Sequence, residues 1–219
     1  MPSTIVHMAF AGLVATGLLG RYFDRRSLLV VLGAVALIDF DSFIPLVTGF
    51  GHRAIFHNLL VPIVGLGVVV ADLGLRQKSY ILGRWGSWGV RVAWVMLFCY
   101  AVTGVLLDMT DGVVNLLWPL HDQFYTLEGK IELSDQRGLV QTFIEWGSGD
   151  GAPTPEAVGS TDEVDITTGV DPGEPSDPDE DPERVFPVIG ATWELLLFVT
   201  GTFVTAMRCV LDGGSDTER

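Results

Sequence analysis

Lysine and cysteine are both scarce in this chain, and each scarcity excludes a class of protein. Only two of the 13 basic residues are lysines, and the formal net charge is -14. A chain this acidic lacks the basic surface that nucleic-acid binding requires, so we expect no nucleic-acid partner. The only two cysteines, Cys99 and Cys209, lie in apolar stretches. Their positions favour buried free thiols and exclude a zinc site built from paired cysteines.

The excess of acidic residues is concentrated in one segment. Between His121 and Arg184 the chain has 17 acidic residues against 3 basic ones, and the rest is close to neutral. Arginine in place of lysine, with abundant aspartate and glutamate, is typical of proteins from extremely halophilic archaea, because acidic side chains stay hydrated in concentrated salt. The alternative is a single acidic linker in a protein from an ordinary organism.

Long apolar runs make up much of the remaining chain, which is 48% hydrophobic overall with a mean hydropathy of +0.41. About 20 apolar residues in a helix cross the ~30 Å hydrocarbon layer of a membrane. We therefore predict an all-α membrane protein with about five transmembrane helices. The predicted spans are Thr4–Gly20, Leu28–Phe50, Ala54–Leu75, Gly89–Leu107 and Val185–Leu211. The domains would be a four-helix membrane region (1–120), an acidic insert (121–184) and a fifth helix with a short tail (185–219).

Basic residues predict the orientation of these spans, because loops on the cytoplasmic side carry an excess of Lys and Arg. They group after spans one and three and at the C-terminus, as Arg21, Arg25, Arg26, Arg76, Lys78, Arg84, Arg208 and Arg219. The loop between spans two and three has Arg53 alone. We expect a multi-pass protein of the cell membrane, with its N-terminus outside and its C-terminus in the cytoplasm. The first span lacks signal-peptide features, so we expect it to be retained.

The acidic insert would then lie outside the cell, and its two halves differ in composition. Phe124–Leu127 and Lys130–Leu133 alternate in polarity around Gly129, which predicts a β-hairpin, with a third strand at Leu139–Trp146. Residues 147–183 are mostly Pro, Gly, Ser, Thr and acidic residues. Such a segment cannot bury enough apolar surface to order itself, so we expect disorder there. The insert is thus predicted to be small, to contain β-structure and to be partly disordered.

Ionisable side chains interrupt the predicted spans, although an aspartate at the centre of a span costs about 2.5–3.5 kcal/mol on insertion scales. With the topology above, most of them fall in the outer half of four spans or in the adjoining loop, namely His7, Asp39, Asp41, His52, His57 and Asp108. Imidazole and carboxylate groups are ligands for divalent ions such as Zn, Mn or Mg, and such an ion would offset the buried negative charge. Each residue also has a simpler interpretation, as an interfacial group, a structural polar pair or a helix cap. Glu194 is either a further ligand or the partner of an arginine.

The order of the polar motifs resembles that of a known family. From about His7 to Pro119 the chain contains, in order, Asp39-Phe40-Asp41, His52-Arg53-Ala54-Ile55-Phe56-His57, Leu107-Asp108-Met109-Thr110 and Leu116-Leu117-Trp118-Pro119. This pattern is similar to that of the membrane-bound predicted metal-dependent hydrolases, whose members include an SOS-associated bacterial inner-membrane protein. The resemblance implies that the metal-site residues are His7, Asp39, Asp41, His52, His57 and Asp108. Asp39 and His57 are the residues that we assign to catalysis.

The chain also departs from that family pattern. Ile38 replaces a proline and Ser42 a histidine around the acidic pair, and Phe56 and Asn58 replace a threonine and a serine around His57. Gly104 stands where the family has a histidine, four residues before Asp108 and on the same helical face. Loss of that ligand would weaken or abolish metal binding unless His121 or Glu194 substitutes for it.

Three functions are compatible with these residues. The first is a metal-dependent hydrolase that acts on lipid or lipid-linked phosphoester or ester substrates at the outer membrane face, with membrane lipids as its partners and Arg53 placed to hold a phosphate. The second is a degenerate relative whose polar groups only hold the helices together. The third is an ion or proton transporter, which the lack of an inverted repeat disfavours.

Overall fold

The computed structural model describes residues 2–43, 55–143, 155–164, 166 and 184–215. The α-helices are α1 (Thr4–Leu19), α2 (Arg25–Ala36), α3 (Leu60–Gly74), α4 (Tyr80–Cys99) and α5 (Thr192–Ser215). Short 3₁₀ turns follow α1 (Gly20–Tyr22) and α2 (Ile38–Phe43), and a π-helical segment (Tyr100–Leu106) continues α4. The strands are β1 (Val114–Leu117), β2 (His121–Thr126), β3 (Ile131–Ser134), β4 (Gly138–Gln141) and β5 (Glu156–Gly159).

The chain divides into two compact units. The helical unit contains Pro2–Phe40, Leu59–Gly104 and Pro187–Arg219, and the insert unit contains Asp41–Asn58 and Val105–Phe186. Five of the six predicted site residues are in described parts of these units. His7 and Asp39 belong to the helical unit, whereas Asp41, His57 and Asp108 belong to the insert unit.

Three helices among the described residues are long and apolar enough to cross a membrane, which makes the chain compatible with membrane association. They are Thr4–Tyr22, Tyr80–Leu106 and Thr192–Asp212. The prediction of five spans is therefore confirmed only in part. α3 is apolar but has only 15 residues. The helix begins at Leu60. Pro62 lies in its first turn, where the missing proline N–H costs nothing.

The predicted span over Leu28–Phe50 is wrong as a regular helix. α2 ends at Ala36, and the chain continues as the 3₁₀ turn that contains Asp39 and Asp41. Aspartate and serine side chains compete for backbone hydrogen bonds, which favours turns over helix in this polar stretch. The remaining residues of that predicted span, from 44 onward, lie outside the described residues.

The core of the helical unit is formed by α1, α2 and α4. Buried side chains from these helices and the turn after α1 pack together, among them Leu19, Phe23, Val31, Val92 and Cys99. α2 begins with a capping box in which Asp24 accepts a hydrogen bond from the backbone N–H of Ser27 and the Ser27 side chain accepts one from Asp24. Such a box satisfies donors that an uncapped helix start leaves unpaired.

Small residues bring α1 and α5 into close contact. A Cβ atom on Gly201 would lie 2.3 Å from the backbone oxygen of Ala9, and one on Gly12 would lie 2.6 Å from Oγ1 of Thr205. Because the contact partners advance together along both helices, α1 and α5 run in the same direction. Close approach through small residues is the usual way in which apolar helices associate inside a membrane.

The insert unit contains two antiparallel sheets. β1, β2 and β5 form one sheet in that order, and β3 pairs with β4 in the other, with Leu133 opposite Leu139. The predicted hairpin between Phe124–Leu127 and Lys130–Leu133 is wrong, because the first stretch pairs with β1 and β5 and the second with β4. The predicted third strand is seen as β4, which begins at Gly138, and residues 144–146 lie outside the described residues.

The prediction of disorder over residues 147–183 is wrong for β5 and the turn that follows it. Asp122 of β2 anchors this turn, since its carboxylate accepts hydrogen bonds from the Thr161 side chain at 2.6 Å and from Asn115 at 2.6 Å. Burial is the largest single effect on Asp122 and raises its pKa, but the hydrogen bonds from Thr161 and Asn115 together outweigh it and hold the pKa below its usual value. The sequence shows no apolar pattern here because polar side chains, not a core, fix the strand.

Candidate functional site

One fully buried histidine lies between two fully buried carboxylates in the insert unit. Nδ1 of His57 is 3.1 Å from Oδ2 of Asp41, and Nε2 of His57 is 3.1 Å from Oδ2 of Asp108. The three side chains are at most 2% exposed. We call Asp41, His57 and Asp108 the Asp–His–Asp cluster. These are three of the six residues that the sequence singles out, and the structure brings them together.

Asp41 is fixed by the backbone as well as by the imidazole ring. Its Oδ2 atom also accepts hydrogen bonds from the backbone N–H groups of Phe56 at 3.1 Å and His57 at 3.3 Å. Asn58 stabilises the same turn through a 2.6 Å hydrogen bond to the carbonyl oxygen of Ile55. The Asp41 carboxylate therefore holds both the ring and the main chain of the segment that carries His57.

Asp108 lies where the long helix that begins with α4 ends. The helix closes with hydrogen bonds from the Thr110 backbone and side chain to the carbonyl oxygen of Leu107, at 3.1 and 2.7 Å. Met109 then accepts a 2.8 Å hydrogen bond from the backbone of Leu127, just after β2. The two residues next to Asp108 are therefore both fixed: Leu107 by the end of the helix, and Met109 by the hydrogen bond from Leu127.

The charge of the cluster favours a bound proton or a cation. Both imidazole nitrogens face carboxylate oxygens, so the ring can donate to both only as an imidazolium, or one carboxyl group must carry the proton instead. Two ionised carboxylates with a neutral ring would leave two negative charges buried, which is strongly unfavourable. In addition, Oδ1 of Asp41 is buried without a hydrogen-bond partner among the described residues. This environment favours binding of positive charge.

The donor atoms fit a divalent ion in part. The 3.1 Å between His57 Nε2 and Asp108 Oδ2 suits two ligands of one ion, given bonds of roughly 2.0–2.2 Å for histidine and carboxylate. Asp41 on Nδ1 occupies the place of the carboxylate that commonly orients a metal-binding histidine. Within the described ranges, no group of three or more His, Cys, Asp or Glu side chains is arranged to hold a metal. A complete site would need ligands beyond those two, and His52 lies outside the described residues.

His7 and Asp39 lie in the helical unit, and Asp39 is partly exposed. His7 is 2% exposed, and its Nδ1 atom is 2.6 Å from the carbonyl oxygen of Thr103. Thr103 is in the π-helical segment, a distortion that is frequent at functional sites. The sequence pattern gave no sign of this segment or of the Thr103 carbonyl as a partner.

Two departures from the family pattern are in contact with each other. A Cβ atom on Gly104 would lie 2.1 Å from Cδ1 of Ile38, which is itself 2% exposed. The isoleucine that replaces the proline therefore fills the space beside the glycine that replaces the histidine. A histidine at 104 would fit only if Ile38 moved.

Glu194 is fully buried in the first turn of α5. Its Oε2 atom accepts a 2.7 Å hydrogen bond from the backbone N–H of Gly190, and this bond ties the segment before α5 to the first turn of the helix. The alternative of an arginine partner finds no support, since no ion pair involving Glu194 is seen in the described part of the chain.

Comparisons with protein-family models, with curated proteins and with solved structures found no match to this chain.

Proposed function

We propose that the chain is a membrane-bound, metal-dependent hydrolase whose centre is the Asp–His–Asp cluster. The observation that carries the proposal is the fully buried histidine with a carboxylate on each nitrogen. A structural role alone would not require three ionisable groups to be removed from solvent together, because buried ion pairs are often no more stabilising than apolar residues of the same size. The motif order between His7 and Pro119 supports the same proposal.

In this proposal each residue of the cluster has its own role. His57 Nε2 and Asp108 would hold the ion, and Asp41 would orient the ring and keep Nδ1 protonated. A bound divalent ion supplies a water molecule of lowered pKa and polarises a phosphoryl or acyl oxygen. Asp39 remains the proposed general base, with His7 and His52 as further proposed ligands.

The membrane supplies the proposed substrate class. Three described helices are apolar and long enough to cross a membrane, and we propose that they do so, with lipids around much of the chain. We propose that α3 and the region of Leu28–Phe50 complete five passes, with the N-terminus outside and the cluster near the outer face. The uneven distribution of basic residues supports this orientation. A lipid or lipid-linked phosphoester or ester would reach a site at that depth.

A second candidate function, a purely structural clamp, is favoured by one specific observation. Both imidazole nitrogens of His57 are within hydrogen-bond distance of carboxylates, so a protonated ring can donate to both and hold the cluster together. In that case a divalent ion would neither bind nor alter the stability of the protein.

Hydrolysis measurements distinguish the two functions. Purified protein with Mn²⁺ or Zn²⁺ should release phosphate from a lipid-linked phosphomonoester or diphosphate in mixed micelles. His57→Gln should lower this rate by about 10–100-fold, the usual cost of altering the groups that hold and orient a metal ion. The matched control is Asp135→Asn, since Asp135 is an exposed ionisable residue of the same unit. Equal rates for both variants, or a rate that a chelator leaves unchanged, would contradict the proposal.

A further inference from the structure

An open surface depression of about 360 Å³ in the helical unit, which we call the polar cavity, is lined by polar and apolar side chains. Tyr22, Ser87 and Arg91 line one part of it, and the other lining residues are Leu73, Leu82, Val90 and Trp94. The volume lies within the range of about 300–1,000 Å³ that is usual for small-molecule sites. The guanidinium and hydroxyl groups suit an anionic group of a ligand, and the apolar side chains suit a hydrocarbon part of the same ligand.

Arg91 lines this cavity and uses only one of its guanidinium nitrogens in a hydrogen bond within the described residues. It is an exposed arginine in the middle of α4, and its Nε atom donates a 2.8 Å hydrogen bond to the carbonyl oxygen of Leu18. The two terminal nitrogens make no further hydrogen bond or ion pair within the described residues. A planar guanidinium that keeps two N–H groups in reserve is well suited to bind a phosphate through two parallel hydrogen bonds.

The surroundings of Arg91 are cationic. Arg21 donates a 2.6 Å hydrogen bond to the Tyr22 hydroxyl, and Arg25 and Arg26 begin the next helix. The nearby acidic groups in the sequence are already engaged. Asp24 accepts hydrogen bonds from Ser27 and from the indole of Trp88. The carboxylate of Asp72 accepts from Arg76, Ser79, Tyr80 and Ile81. These hydrogen bonds leave the charge of Asp24 in place, but Arg21, Arg25 and Arg26 outnumber it, so a bound anion would meet a segment of net positive charge.

A second open depression, of about 250 Å³, lies in the groove between α3 and α4 and shares one lining residue with the first. Trp94 lines both cavities, and the second is otherwise lined by apolar side chains such as Pro62, Leu66, Leu97 and Phe98. The α3 stretch from Leu59 to Leu73 is about 21 Å long at 1.5 Å per residue. That length exceeds the ~15 Å hydrocarbon depth of one membrane leaflet. The groove thus continues the polar cavity with a channel suited to an acyl chain.

We propose that the helical unit binds one anionic phospholipid, with its phosphate at Arg91 and Tyr22 and an acyl chain in the groove between α3 and α4. Charge complementarity favours an anionic headgroup over a zwitterionic one, and the apolar groove favours a lipid over a free phosphate. Arginines close to a membrane surface attract anionic lipids, and a tryptophan beside them is typical of the membrane interface. The site shares no residue with the Asp–His–Asp cluster.

Native mass spectrometry of the delipidated full-length chain tests the lipid site. Dioleoyl phosphatidylglycerol should be retained by the wild type with one tight site, at least about tenfold more tightly than dioleoyl phosphatidylcholine. Arg91→Gln should lower the phosphatidylglycerol affinity about tenfold, and Tyr22→Phe should lower it by a smaller factor. Arg137→Gln is the matched control, because Arg137 is an exposed arginine in the turn between β3 and β4. Thermal unfolding in phosphatidylcholine micelles checks that each variant is folded.

Three results would overturn the proposal. The first is equal retention of the two lipids by the wild type, and the second is an unchanged phosphatidylglycerol affinity in folded Arg91→Gln. The third is stabilisation by inorganic phosphate as large as that by phosphatidylglycerol, which would indicate a free-phosphate site. Ala101→Leu adds a test of the groove, since Ala101 lines its apolar part. This variant should weaken the binding of long-chain phosphatidylglycerol but leave a short-chain analogue unaffected.

Discussion

Replacing His57 by alanine should destabilise the protein by about 3 kcal/mol, because it removes the one ring that both buried carboxylates contact. Asp41 and Asp108 would lose the ring that lies 3.1 Å from each of them. The segment that carries residue 57 would also loosen, since Asp41 holds its backbone. Thermal unfolding in detergent, followed by far-ultraviolet circular dichroism, measures the loss.

A variant in which both carboxylates are removed as well isolates the electrostatic part of this loss. The triple change Asp41→Asn, His57→Ala and Asp108→Asn should recover part of the stability that His57→Ala alone loses, because no buried charge would then remain unpaired. His121→Ala is the control, and it should change stability by less than about 0.5 kcal/mol, as is usual for exposed sites. If His57→Ala were as stable as His121→Ala, the cluster would not be formed in the folded protein.

Replacing Gly201 by alanine should destabilise the contact between α1 and α5 by about 2 kcal/mol. The added Cβ atom would lie 2.3 Å from the backbone oxygen of Ala9, and a backbone atom cannot move aside as a flexible side chain can. Overpacking of this kind costs roughly 1–3 kcal/mol. Helix propensity alone would predict the opposite change in stability, since alanine stabilises a helix by about 1 kcal/mol relative to glycine.

Gly17→Ala gives the matched comparison on α1. A Cβ atom there would meet nothing within 4 Å, so only the gain in helix propensity remains, and this variant should be as stable as the wild type or more so. Parallel thermal unfolding of both variants in the same detergent measures the difference. Equal transition temperatures for Gly201→Ala and Gly17→Ala would show that α1 and α5 do not pack as described.

The sequence predicts the parts of the fold that depend on apolar content. The runs at Thr4–Gly20, Gly89–Leu107 and Val185–Leu211 all overlap helices long enough to span a membrane. The prediction from hydropathy fails near Asp39, where it extends α2 past Ala36. An average over many residues does not detect the turn that short polar side chains favour. It also mispairs β2, because strand partners depend on tertiary contacts that alternation alone does not define.

The sequence predicts the candidate site by residue type but not by role. Ionisable groups in apolar stretches singled out Asp41, His57 and Asp108, which the structure brings together. Spacing alone gave Asp41 and Asp108 the same role as ligands, whereas their contacts with opposite nitrogens of one ring suggest different ones. The contact between Ile38 and Gly104 was equally hidden, since the two positions are distant in sequence and only their packing relates them.

Metal content of the purified full-length protein, measured by elemental analysis after dialysis against Mn²⁺ or Zn²⁺, shows whether the Asp–His–Asp cluster binds a metal ion. The account predicts about one ion per chain in the wild type and in Asp135→Asn, which changes an exposed aspartate of the same unit. Asp108→Asn and His57→Gln should each retain less than about one tenth of that amount. Equal metal in all four proteins, or no metal in the wild type, would contradict the assignment of the Asp–His–Asp cluster as a metal site.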